Sequence, residues 1–155
     1  MATEIERKFL VVGTDWKKAS VRKCRMKQGY FAGTGKASVR VRVEGDIANI
    51  NIKSATLDIT RKEYEIPLPL NDAEEMLDQL CERPCIEKVR HYVPFGKHTW
   101  EVDEFSGENA GLIVAEIELQ DVNESFEIPP WLGEEVSNDK RYYNVCLVKH
   151  PYKNW

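Results

Sequence analysis

Seven stretches of the chain alternate apolar and polar residues with a period of two, and in most the polar phase carries one sign of charge. Side chains two apart on a strand point the same way. Glu4, Glu6 and Lys8 therefore share a face of Glu4–Val12, and Arg40 and Arg42 share one of Ser38–Glu44. Lys53 follows Ile50 and Ile52 in Ala48–Ser54, and Glu63 and Glu65 stand together in Arg61–Leu68. Lys88 and Arg90 pair in Ile86–Pro94, Glu101 and Asp103 in Thr99–Phe105, and Glu116 and Glu118 in Ile113–Gln120.

One such doublet is what the solvent face of an antiparallel sheet usually shows. The set asks for more. Like charges roughly 7 Å apart cost about 2 kcal/mol per pair at an effective dielectric near 20. Mixed signs would serve solubility better. Segregated acids and bases make sense where ligands of both signs sit between them, acids holding divalent cations and bases a polyanion. The other phase is apolar: Ile5, Phe9, Val39, Val41, Ile50, Ile52, Tyr64, Val89, Tyr92, Trp100, Val102, Ile117 and Leu119 are expected to face away from the charges. A sheet curled with its polar face inward is a barrel with a charged lumen.

Gly33 with Gly35, Gly45-Asp46 and Phe95-Gly96 supply turns between successive antiparallel strands. Helices are expected over Thr14 to Met26, from Leu70-Asn71-Asp72 to a stop at Pro84, within Asp139 to Lys149, and briefly near Asp121 to Phe126. The reading is therefore α+β, mainly β, with a few helices packed outside one domain spanning residues 1–155.

Hydrophobic residues at 42% and charged residues at 31% describe an ordinary globular chain. A net charge of -4 argues against a nucleic-acid coat, though not against a local basic cavity. The N-terminus is charged from Glu4 and lacks the apolar region of a secretory signal, and no apolar run would span a bilayer. These features lead us to expect a cytoplasmic protein with no membrane partner. Cys24, Cys81, Cys85 and Cys146 read as reduced thiols in a mid-sized chain without a secretory signal, and Cys81 and Cys85 have no His or second Cys pair nearby to complete a zinc site. His91, His98 and His150 fit no metal spacing and read as surface residues. Trp131 and Trp155 read as packing anchors, and Lys140-Arg141 either reaches a phosphate or favours solvent.

Glu4-Ile5-Glu6-Arg7-Lys8 resembles the N-terminal ExExK signature of the CYTH superfamily, the triphosphate tunnel metalloenzymes. The resemblance continues in order through Gln28-Gly29-Tyr30, Val39 to Arg42, Ile52-Lys53, Lys62 to Glu65, Lys88 to Arg90, Glu101 to Asp103, Ala115 to Leu119 and the tail Glu135 to Asn144. It implies an eight-stranded antiparallel tunnel.

By the same resemblance, Glu4, Glu6, Glu116 and Glu118, joined by Asp103, look like ligands for one or two Mg²⁺ or Mn²⁺ ions, a hard-oxygen set. Lys8, Arg40, Arg42, Lys53, Lys88 and Arg90 look like a triphosphate clamp. Glu63, Glu65 and Glu101 either hold the clamp bases or position water. Lys88 with Tyr30 is the candidate catalytic pair, since a lysine among other cations loses its proton more easily. Tyr30 capping the tunnel mouth or packing in a loop is the plainer alternative. The expected function is metal-dependent hydrolysis of a small triphosphate, best matched by inorganic tripolyphosphate. The alternatives are a cyclase making cyclic AMP from ATP, or a non-catalytic nucleotide- or polyphosphate-binding module. Monomer and homodimer are both left open.

Overall fold

The computed structural model describes residues 3–33 and 35–155; Met1, Ala2 and Thr34 lie outside them. Among the described residues nine strands form: β1 (Thr3–Val11), β2 (Arg22–Tyr30), β3 (Ala37–Glu44), β4 (Ile47–Ser54), β5 (Thr60–Leu68), β6 (Ile86–Phe95), β7 (His98–Phe105), β8 (Ile113–Glu118) and β9 (Leu132–Glu135). Three helices accompany them: α1 (Asp15–Ala19), α2 (Leu70–Gln79) and α3 (Asn144–Lys149). The order β5-β4-β3-β2-β6-β7-β8-β1 is closed by pairing of β1 with β5, so eight antiparallel strands make a barrel and β9 lies outside the ring.

One edge of β1 runs along β8 from Glu6 to Leu10. The other is shared, with β5 pairing Thr3 to Ile5 and β9 taking Phe9 and Val11. Between these, the tail satisfies the backbone of Lys8: its N–H donates to Ser137 Oγ at 2.9 Å and its carbonyl accepts from Val136 N at 2.9 Å. A closed ring leaves no barrel edge to template aggregation. Gly45 and Gly96, at φ of 60° and 61°, turn the β3–β4 and β6–β7 hairpins.

The apolar phase faces outward and is covered unevenly. Phe9, Trp16, Val93, Trp100, Val102, Ala115, Ile117, Leu119 and Trp131 form one cluster. In it Trp100 meets Phe9, Phe126 and Trp131 edge-on at centroid distances of 5.5, 5.6 and 5.8 Å, a geometry worth about 0.5–1.5 kcal/mol per pair beyond area burial. α2 lays Ala73 and Leu77 on Val41 and Ala48. α3 lays Leu147 and Val148 on a third cluster with Tyr30, Ile86, Phe105 and Val114. Tyr64 and Ile66 on β5 stay about half exposed.

Several expectations are corrected. Thr14 to Met26 is not one helix: α1 ends at Ala19, and Arg22 onward is strand β2, bonded to β3 on one side and β6 on the other. Arg, Lys, Met and Gln favour helix locally, but two ladders of long-range hydrogen bonds outweigh that weak preference. Asp121 to Phe126 forms a turn in which the Asp121 carboxylate takes the N–H of Asn123 at 2.8 Å, competing with helical bonding. The helix expected within Asp139 to Lys149 is present as α3, preceded by a single turn at Lys140–Tyr142 and extended Tyr143. His91 is not at the surface; it is buried with its ring edge-on to Trp16 at 4.9 Å. Tyr92 faces the lumen, having the parity of Lys88 and Arg90. The four cysteines are free thiols. Among the described residues no helix is long and apolar enough to cross a membrane.

Candidate functional site

The barrel encloses a cavity of about 260 Å³ whose wall is almost wholly polar. Acids line it from β1 (Glu4, Glu6), β5 (Glu63, Glu65), β7 (Glu101) and β8 (Glu116, Glu118). Bases line it from β1 (Lys8), β3 (Arg40, Arg42), β4 (Lys53) and β6 (Lys88, Arg90), and Tyr30 of β2 joins them. Thus the cavity gathers the residues singled out in the sequence, except Asp103. That carboxylate does not line it. It is fully buried, with Lys88 Nζ at 2.7 Å and both Nε and Nη2 of Arg90 at 2.7 and 2.9 Å. Its oxygens are already committed, so its place is behind the two cations and not among ligands facing the lumen.

Register explains how the acids concentrate. Glu6 opposes Glu118 across β1 and β8, Glu101 opposes Glu116 across β7 and β8, and Lys8 opposes Glu116. Two lysines stand between acids: Lys8 Nζ is 3.1 Å from Glu6 and 3.2 Å from Glu116, and Lys53 Nζ is 2.9 Å from Glu4 and 3.2 Å from Glu63. Both Glu4 carboxylate oxygens face Lys53 Nζ, Oε2 at 2.9 Å in the ion pair and Oε1 at 3.2 Å in the hydrogen bond. Burial pushes the Glu6 carboxyl up, but the Lys8 ammonium, a hydrogen bond with Glu116 and Lys53 together outweigh it and hold the group at about 2. Burial, followed by Glu4 and Glu6, pushes Glu118 up. Burial raises Glu101 to about 7, with Glu116 adding to the effect and Arg90 opposing it.

Among the described residues no three acidic, His or Cys side chains converge as a ready-made metal sphere. The donor chemistry nonetheless fits a hard divalent cation: Glu4, Glu6, Glu116 and Glu118 offer only carboxylate oxygens, with Glu6 and Glu118 set directly opposite each other.

On the basic side the cations are sorted by their partners. Arg42 gives Nη1 to Glu44 at 3.1 Å and Nε to Gln28 Oε1 at 2.9 Å. Burial, then Arg40 and Arg90, lowers its pKa. Arg40 donates to Asn51 at 3.3 Å and Arg61 lies over the Tyr143 ring at 5.3 Å. Among the described residues neither of these two pairs with a carboxylate. Lys88 is the cation brought near neutrality: burial, then Arg90 and Arg42, lowers it to about 7 against the opposing pull of Asp103. Its ammonium also donates to Asn144 Oδ1 at 2.9 Å. Tyr30 connects to Lys88 through Gln28 and Asn144, with Gln28 Nε2 3.2 Å from Tyr30 OH and 3.0 Å from Asn144 Oδ1. Arg141, in contrast, is exposed and clasps Asp139 at 2.7 Å.

Ser38, Glu44, Asn51, Arg61, Tyr92 (expected to face outward), Tyr143, Asn144 and Val145 also line the cavity without having been named for it from the sequence. Parity alone finds the first five, since each lies an even number of residues from a chosen neighbour on its own strand. Of the last three, Tyr143 precedes α3 and Asn144 and Val145 begin it, and none carries such a signal. Their place in the wall makes the C-terminal segment part of the site.

The comparisons agree with this geometry. A family model described as the CYTH domain matches residues 2–149. The chain is 48% identical over 155 residues to an inorganic triphosphatase of Acetivibrio thermocellus, covering 100% of this chain and 99% of the relative. It is 36% identical over 151 residues to one of Nitrosomonas europaea, covering 94% and 97%. A solved inorganic triphosphatase superposes with a TM-score of 0.69 at 32% identity, covering 96% of this chain and 95% of that one. The chain therefore belongs to the CYTH domain family.

Proposed function

We propose that the protein hydrolyses inorganic tripolyphosphate to pyrophosphate and phosphate with Mg²⁺ or Mn²⁺. The observation that carries this reading is the cavity wall itself, where carboxylates on β1, β7 and β8 face arginines and lysines on β3, β4 and β6. The two curated relatives named inorganic triphosphatase support the choice of substrate.

Phosphoryl transfer of this kind is mostly positioning and charge neutralisation. Arg40, Arg42, Arg90, Lys8 and Lys53 hold the phosphate chain, the arginines with two-pronged contacts. Arg40 starts without a carboxylate partner and so meets the polyanion without first breaking an ion pair. Glu4, Glu6, Glu116 and Glu118 would hold the cations; Glu63 and Glu101 steady Lys53 and Arg90. Bound there, divalent cations supply charge neutralisation on the phosphate chain and lower the pKa of water. Lys88, held near neutrality by burial and flanking arginines, accepts the proton of the attacking water at Nζ. Asp103 fixes Lys88 and Arg90 from behind.

A second reading, action on an organic triphosphate, draws on a smaller pocket of about 150 Å³ beside the first. It is lined by Phe31, Leu57, Val145 and Val148 and shares Tyr30, Ser38 and Val145 with the charged cavity.

Product release from tripolyphosphate and from ATP, each with Mg²⁺ or Mn²⁺, tests both readings beside a Glu4→Ala/Glu6→Ala control. Phosphate and pyrophosphate from tripolyphosphate, lost in the control, are expected. Preferential turnover of ATP would favour the second reading, and cyclic AMP would make the protein a cyclase. Binding of both substrates without turnover would refute hydrolysis.

A further inference from the structure

Asn144 presents a carboxamide whose two ends are sorted by their neighbours. The oxygen and nitrogen of an amide have nearly the same shape and are told apart by what they bond. Arg42 Nε can only donate, and it meets one end of the Gln28 amide at 2.9 Å, which makes that end Oε1 and the other Nε2. Gln28 Nε2 then donates to Asn144 at 3.0 Å, and Lys88 Nζ donates to the same atom at 2.9 Å. Two donors on one end make it Oδ1. The order runs outward from an arginine that cannot change roles, through a fully buried glutamine, to the first residue of α3.

Nδ2, with two hydrogens to give, must then be the other end. Among the described residues it donates to no protein atom. It is not a buried orphan, because Asn144 is half-buried and lines the charged cavity. A neutral donor beside Lys88 adds what that rotatable ammonium lacks, a fixed direction, and brings no further cation into a crowded site.

Resting on the triphosphate reading of this cavity, we propose that Asn144 binds substrate, its Nδ2 hydrogens donating to a phosphate oxygen of the bound chain. The competing account is that Asn144 only pins α3 to the barrel floor, which needs Oδ1 alone. A hydrogen bond to a charged acceptor corresponds to roughly ten- to hundredfold in affinity.

The test compares the full-length parent with Asn144→Asp and Asn144→Leu, measuring KM for tripolyphosphate and the affinity for pyrophosphate with Mg²⁺ by calorimetry, with melting temperature as the control. Asn144→Asp keeps an acceptor for Lys88 and Gln28 but loses the donor and adds charge. Asn144→Leu loses the donor without adding charge. Both are expected to weaken pyrophosphate and raise KM by tenfold or more. Pyrophosphate bound by a folded Asn144→Leu within twofold of the parent overturns the proposal, whatever Asn144→Asp does. Should Asn144→Leu not fold, the side-chain amide resonance of Asn144 in the labelled parent decides: it shifts on adding pyrophosphate, or the proposal fails. A parent that binds neither anion removes the triphosphate reading and this inference together. A parent that binds both, beside an Asn144→Leu that binds as well, removes this inference alone.

Discussion

Glu6 on β1 and Glu118 on β8 are direct cross-strand partners, two carboxylates set against each other on one wall of the cavity. Glu101 and Glu116 repeat the arrangement on the neighbouring pair of strands. Like charges directly opposite destabilise a sheet, a cost that a cation held on this wall would relieve. The sign of the pH dependence follows. Burial lifts Glu101 from 4.5 to about 7, and burial with Glu4 and Glu6 lifts Glu118. A carboxyl that holds its proton more tightly when folded costs stability as pH rises through that window. Added Mg²⁺ or Mn²⁺ should therefore raise the melting temperature more at pH 8 than at pH 5. Glu118→Gln, which removes the carboxyl that burial and its neighbours push up, should melt higher than the parent without metal and lose part of the metal-induced rise. Equal metal effects at both pH values would speak against cations on this wall.

Lys88 and Asp103 give a second test. Asp103 opposes the lowering of the Lys88 pKa, which burial, Arg90 and Arg42 bring to about 7. If Lys88 Nζ takes the proton, kcat falls as pH drops below about 7, and Lys88→Ala loses about 10²- to 10⁴-fold in kcat. Asp103→Asn removes the group that raises Lys88, so the acid limb should move to lower pH. The same change leaves Lys88 and Arg90 buried without their carboxylate, a loss of about 3–5 kcal/mol in stability. An acid limb that stays in place in a folded Asp103→Asn would separate Lys88 from the proton transfer.

Arg40 and Arg42 should respond differently to truncation although they are two residues apart. Arg42 is tied to Glu44 and Gln28, whereas among the described residues Arg40 has Asn51 and no carboxylate. Arg40→Ala should therefore raise KM for tripolyphosphate while leaving the melting temperature nearly unchanged. A lost charge-assisted contact of about 1.5–3 kcal/mol corresponds to roughly ten- to hundredfold in kcat/KM. Arg42→Ala should cost both, because it also leaves Gln28 Oε1 and Glu44 unpaired. Steady-state kinetics and thermal melts on the same preparations check both, and an Arg40→Ala that destabilises as much as Arg42→Ala would contradict the distinction.

Parity made the barrel legible. Where charges keep to one phase, as at Arg40 and Arg42 or Glu116 and Glu118, the inward face can be read directly. β2 escaped because Arg22, Lys23, Arg25 and Lys27 place bases on both phases among good helix formers, and only its pairing with β3 and β6 makes it a strand. Asp103 shows a different limit: its phase points inward, yet its depth behind Lys88 and Arg90 depends on how far each side chain reaches. Tyr143 and Asn144 reach the cavity because the tail fills the part of the β1 edge that β5 leaves. No local pattern encodes that.

Gly29 supplies a prediction about the fold beneath the site. A Cβ at that position would lie 2.8 Å from Cys81 Cβ, 3.0 Å from Cys81 Sγ and 3.1 Å from Leu77 Cδ2. Two of these atoms are near the backbone end of a side chain, so Cys81 cannot swing aside, and the segment after α2 must move away from β2. Overpacking of this sort costs about 1–3 kcal/mol. Gly29→Ala should lower the urea midpoint with little change in the slope of the transition. Adding Cys81→Ala should recover only part of the loss, since it removes the sulfur but keeps the 2.8 Å Cβ contact, whereas adding Cys81→Gly removes both. Gly29 also sits between Gln28 and Tyr30, so a shift of β2 would reach the Arg42–Gln28–Asn144 chain and raise KM along with the loss of stability. Gly29→Ala with the parent's midpoint would mean that α2 yields more easily than these contacts imply.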